Sequence, residues 1–88
     1  METPISAQIT CSASYATVFD FTASKRRYTH IAVHVGAGAA VKFSFDGGTS
    51  VAFRVPAGGS VALDDFPLHG ILKVADDGTG VVVDVNVW

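Results

Sequence analysis

Three histidines, one cysteine and two aspartate pairs are the residues of this 88-residue chain whose types could support chemistry. His30 and His34 lie four apart in a run that reads as a strand, so they share a face but stand roughly 13 Å apart along it. One ion cannot take both at metal–imidazole distances of about 2.0–2.1 Å. A cupin-like site would want two histidines two apart with a glutamate shortly after, and the one glutamate is Glu2. Cys11 has no local motif that raises it above a buried thiol. Asp64-Asp65 and Asp76-Asp77 sit in turns, where aspartate is favoured for backbone reasons. Asp76–Gly80 lacks the alternating ligand spacing of a calcium loop. Gly36–Gly38 is too short for a phosphate cradle and has no helix to follow it. The residues therefore predict no catalytic group, no metal and no cofactor.

The elements around these residues are strands. Ile31–Val35, Val41–Phe45, Val51–Val55, Val61–Leu63 and Val81–Val87 alternate apolar with small or polar residues. A period of two puts one set of side chains on each face of a strand. Ala16–Thr22 alternates too, with Val18 on one face and Phe19 and Phe21 on the other. Residues 1–14 are polar and weakly patterned, either an arm or a first edge strand around Ile5–Cys11. Gly36–Ala40, Asp46–Thr49, Pro56–Gly59 and Asp76–Gly80 carry the turn chemistry that separates short strands. Asp64–Gly70 is the longest mid-chain loop, and no ten-residue segment shows a 3.6-residue period. Roughly seven or eight strands in one domain, residues 1–88, predict an all-β antiparallel sandwich, with a small barrel as the other form such a pattern takes. Ile31, Val33 and Val35 are predicted to face inward, with Val41, Phe43 and Phe45, Val51, Phe53 and Val55, Val61 and Leu63, and Val81, Val83, Val85 and Val87.

Composition adds a constraint. Apolar residues make up 49% of the chain and charged residues 16%, where ordinary soluble domains carry about 25% charged residues. A domain this small buries only about 60–65% of its extended surface, so it should need more polar residues than average. The shortfall argues that other chains cover part of the outside. A net charge of −2 gives no global pull toward nucleic acid or an anionic membrane. No apolar run is long enough to span a membrane. Residues 1–8 lack a basic region followed by an apolar stretch, so no secretory signal is expected and synthesis in a cytoplasm is the default.

Cations and one tryptophan are the candidate contact residues. Pairing 31–35 with 41–45 through Gly36–Ala40 sets His34 opposite Lys42. Pairing 41–45 with 51–55 sets Lys42 opposite Arg54 and Phe43 opposite Phe53. His34, Lys42 and Arg54 then form one basic cross-strand row, which costs stability unless an acidic partner covers it; an ordinary solvated surface is the plainer reading. Strands adjacent in sequence need not be neighbours in a sandwich, so this register is conditional. Lys25, Arg26 and Arg27 form a second basic patch in a loop. Trp88 either folds over the edge of the sandwich or anchors an interface, with the interface preferred.

The turn-rich motifs at 33–38, 43–48 and 55–61, and the 70–74 to 78–81 ending, resemble small β-sandwich virion proteins of tailed bacteriophages, the head decoration or cement type. The resemblance covers about two thirds of the chain, from Ile31 to Trp88, and rests mainly on turn chemistry. It implies a jelly-roll-like homotrimer on the outside of a capsid, made in the host cytoplasm, whose partners are the major capsid protein and its own copies. It supplies no catalytic residues. A tail, fibre or neck component would share the same turns. A carbohydrate-binding module would need exposed aromatics, for which Tyr15, Tyr28 and Trp88 are the candidates.

Overall fold

The alternating runs become eight strands, seen in a computed structural model that describes residues 5–22, 27–65 and 68–88. They are β1 (Ile5–Thr10), β2 (Ala16–Asp20), β3 (Ile31–Val35), β4 (Val41–Ser44), β5 (Phe53–Val55), β6 (Ser60–Leu63), β7 (Ile71–Ala75) and β8 (Val82–Val87). Two antiparallel four-stranded sheets result, ordered β1-β8-β3-β6 and β2-β7-β4-β5. β1 pairs with β8, β2 with β7, β3 with β6 and β4 with β5. That is a chain doubled back on itself and then rolled up, the jelly-roll form of a β-sandwich. The polar N-terminal segment supplies an edge strand, β1.

Between the sheets lies the core. Ile31, Val35, Val41, Phe43, Val55, Leu72, Val74, Val83, Val85 and Val87 are fully buried, each contributing about 1.5–3 kcal/mol by leaving water. The Phe43 and Phe53 rings stack at 4.7 Å across the β4–β5 pair. Phe19, Phe21 and Tyr28 form a second run of ring contacts at 5.9 and 5.6 Å. Phe45, Phe53, Val61 and Leu63 are only partly buried but pack against this core, as their parity requires.

Several details differ from the sequence reading. β3 is not the partner of β4: the Gly36–Ala40 turn crosses from one sheet to the other, and β3 lies between β6 and β8. Val51 stands outside β5 and is 38% exposed, because the chain between β4 and β5 makes a wide loop rather than a tight hairpin. In β2 the register shifts between Thr17 and Phe19. This irregularity lets Val18 and Phe19 both pack on the core, where strict alternation would have sent them to opposite faces. β7, which the alternating pattern does not single out, is an inner strand carrying Leu72, Val74 and Ala75 into fully buried positions.

Candidate functional site

The two sheets turn different chemistry outward. On the β1-β8-β3-β6 sheet, the residues of outward parity form rows across the strands. His34 is paired with Asp84 on one side and Ser60 on the other, and Asp84 with Gln8. Within that row the Gln8 amide donates to Asp84 Oδ1 at 2.9 Å, and His34 Nδ1 lies 2.8 Å from Ser60 Oγ. The next row is Ser6, Asn86, Ala32 and Ala62. Its small side chains leave a shallow open hollow of about 420 Å³ floored by Ala32 and Ala62 and bordered by His34, Ser60 and Asn86. A second hollow, of about 280 Å³, adjoins it between Gln8, Asp84 and Asn86.

One end of this face is closed by an aromatic pair. The Trp88 indole stacks on the His30 imidazole, with centroids 5.3 Å apart and planes at 9°. His30 Nδ1 lies 3.0 Å from Asp64 Oδ1, a contact with 31% of the histidine and 78% of the aspartate side chain in solvent. Backbone bonds fix the pair in place, since the His30 and Trp88 amides each donate to the other's carbonyl. Trp88 thus folds onto its own domain while its indole stays half-exposed.

The opposite sheet presents cations. Lys42 is paired with Arg54 and with Ala75, and Lys73 with Ser44 and Thr17. By this register Lys42, Arg54 and Lys73 all point to the outside of the β2-β7-β4-β5 sheet. The predicted pairing of Lys42 with Arg54 is therefore present. His34, placed in the same row from the sequence, belongs to the other face, because β3 and β4 are in different sheets. Lys73 takes its place in the basic group; it escaped the sequence reading because it sits on β7. Lys42 Nζ lies 5.5 Å from the centre of the Tyr15 ring, a cation–π distance. Among the described residues, neither Arg54 nor Lys73 has a carboxylate within ion-pair distance. Arg27 is exposed, and Lys25 and Arg26 lie outside the described residues.

The aspartates do backbone work. Asp76 is only 6% exposed, and its carboxylate accepts the amides of Gly78, Gly80 and Val81 at 2.7, 2.8 and 2.9 Å. The Val81 bond first, then those from Gly78 and Gly80, hold its carboxyl below the usual range despite some burial. Asp77 accepts in the same way from Thr79. Asp46 takes the Ser44 hydroxyl at 2.6 Å and the Ser50 amide at 2.9 Å. These bonds, led by the one from Ser44, hold its carboxyl far down. They also satisfy the fully buried Ser44, whose hydroxyl oxygen accepts the Gly48 amide at 2.9 Å. Asp46 and Asp76 thus use their acceptor oxygens inside their own loops while staying ionised. Cys11 is 3% exposed; burial, helped by the nearby charge of Asp76, pushes its thiol up to about 11. No group of three or more metal-ligating side chains converges among the described residues.

No family model matches this chain, and no curated protein does. Among solved structures it is similar to a chain of a Bacillus endospore appendage, described as one of a novel family of disulfide-linked pili. The TM-score is 0.69 at 16% identity, over 97% of this chain and 80% of that one. A likeness at that identity establishes a shared β-sandwich fold.

Proposed function

We propose that this chain is a structural subunit that acts by surface contact, in the form of a decoration protein on the outside of a phage head. The observation that carries the reading is the outer face of the β1-β8-β3-β6 sheet. Its middle is floored by Ala32 and Ala62, with Ser6, Ser60 and Asn86 beside them, and Val82 is 42% exposed at one end. A solvated sheet face of an isolated domain ordinarily carries long charged side chains, whereas a flat face of small ones admits a neighbour's backbone closely. The low charge content of the whole chain supports the same reading. A cement stabilises by mass action, binding the assembled shell more tightly than free shell subunits. Mixing the purified chain with undecorated heads, then sedimenting them, tests this directly. Saturable co-sedimentation supports decoration, and its absence at micromolar concentration defeats it.

A second reading has one observation in its favour, the likeness of fold to a subunit of an endospore appendage. In that form the chain is the repeating unit of a filament. The neighbour belongs to a disulfide-linked family, but the one cysteine here is buried in its own domain, so linkage through this fold is non-covalent. Electron microscopy of the concentrated protein without heads separates the two, since filaments would favour the second.

A further inference from the structure

The two outer faces of the sandwich are complementary to each other. The β2-β7-β4-β5 face projects Lys42, Arg54 and Lys73. The β1-β8-β3-β6 face offers Asp84 on its middle row and Asp64 at its His30 end. Asp76 and Asp77 border a hollow beside Lys42 and Arg54, but the acceptor oxygens of Asp76 are taken by its own loop, so the cationic heads are left to meet a partner's carboxylates. Shape matches charge. Long, flexible cationic side chains stand on one face, and the other is hollowed over Ala32 and Ala62, with Asp84 bordering the adjoining hollow. The stems of Lys42 and Arg54 can lie along the alanines while their heads reach carboxylates.

We propose that these faces dock onto each other between copies of this chain, the basic face of one copy seated on the hollowed face of the next. The inference rests on the second reading above, the filament, in which the hollowed face meets another copy rather than a shell, and it names the contact. Area permits it: the molecule measures 36 × 24 × 18 Å, and its broad faces can approach the roughly 800 Å² per partner of a standard interface. The occupant is a second copy rather than nucleic acid. Three cations release too few counterions to hold a polyanion at physiological salt, since the salt slope scales with the phosphates neutralised. Because the surfaces in contact are different, the contact is heterologous and repeats from copy to copy. The faces lie on opposite sides of the sandwich, so growth continues along one direction.

Sedimentation velocity on three proteins tests the contact. The wild-type chain should associate as concentration rises and dissociate as salt is added. Lys42→Glu with Arg54→Glu makes both faces acidic, and Asp64→Lys with Asp84→Lys makes both basic. Each double variant alone should associate at least roughly tenfold more weakly. Mixed in equal amounts, the two should associate again, because each then offers what the other lacks. That recovery also shows that both variants are folded. Wild-type association that ignores both reversals overturns the face-to-face contact and leaves the filament reading standing. A wild-type chain that stays monomeric at high concentration overturns self-docking, while binding to heads still decides the decoration reading. Loss of association in both variants without recovery on mixing overturns the contact too.

Discussion

The Trp88 indole lies flat on the His30 imidazole, 5.3 Å between centroids, and His30 in turn meets Asp64. A tryptophan on an outer sheet face is thereby half-shielded by its own domain. Removing the histidine ring should uncover it. His30→Ala is expected to shift Trp88 emission to longer wavelength and to cost about 0.5–1.5 kcal/mol, the worth of a ring pair. Fluorescence and urea unfolding of the variant check both. As the one tryptophan in the chain, it gives an unmixed signal.

Asp76 supports a different prediction. Asp76→Ala leaves three amides of a tight turn without their acceptor, that of Val81 buried and those of Gly78 and Gly80 exposed, and is expected to cost about 1–3 kcal/mol. Because the folded carboxyl titrates below its ordinary value near 3.8, its contribution is complete above that value and fades as pH falls through the lower folded one. Urea melts at pH 7 and again below pH 3 should show the gap between wild type and variant narrowing in acid. A gap that stays constant would mean the charge contributes nothing.

Gly48 meets Tyr15 more closely than any side chain would allow. A β-carbon there would fall 2.7 Å from Tyr15 Cδ2, at a backbone φ of +98°. Gly48→Ala is expected to cost about 1–2 kcal/mol from backbone strain alone, and more from the clash. A double-mutant cycle with Tyr15→Ala separates the two, since relief of the clash should appear as a coupling term and the strain should remain.

Cys11 should resist thiol reagents while the protein is folded. With its pKa raised to about 11, only about one thiol in a thousand is ionised at pH 8. Burial adds a steric barrier. Labelling is expected to follow global unfolding, and rapid native labelling would contradict the packing described for β1 and the loop after it.

Packing distinguishes positions that alternate identically in sequence. Phe43→Ala, in the centre of the core, is expected to cost about 3–5 kcal/mol. Val51→Ser should stay within about 0.5 kcal/mol, because the wide β4–β5 loop leaves Val51 in solvent. Thermal melts of the two variants suffice.

What the sequence made legible was local. Alternation along 41–45 found the inward Val41 and Phe43, and the pairing of β4 with its successor β5 made Phe43–Phe53 and Lys42–Arg54 readable as pairs. The same logic failed for His34 because a jelly roll pairs strands by nesting, so the partners of β3 are β6 and β8 rather than its successor. Strand alternation is blind to that choice. β7 was harder still: Ile71 to Ala75 follows a long loop, and its inner position depends on β2 and β4 flanking it. Lys73 was therefore invisible as a surface residue. The aspartates were correctly read as turn formers, but only the folded chain shows Asp46 gripping the Ser44 hydroxyl and both the amide and hydroxyl of Ser50, and Asp76 gripping three amides.

The nested pairing has a kinetic consequence. β8 lies between β1 and β3, so the sheet they form cannot close until the strand furthest along the chain has been made. On a ribosome the earlier strands must wait with their valines and phenylalanines uncovered, in a topology that already folds slowly because its partners are distant. The same residues that give the finished domain its dry interior are a hazard during synthesis, and a nascent chain stalled before Val82 should be the most aggregation-prone form of this protein.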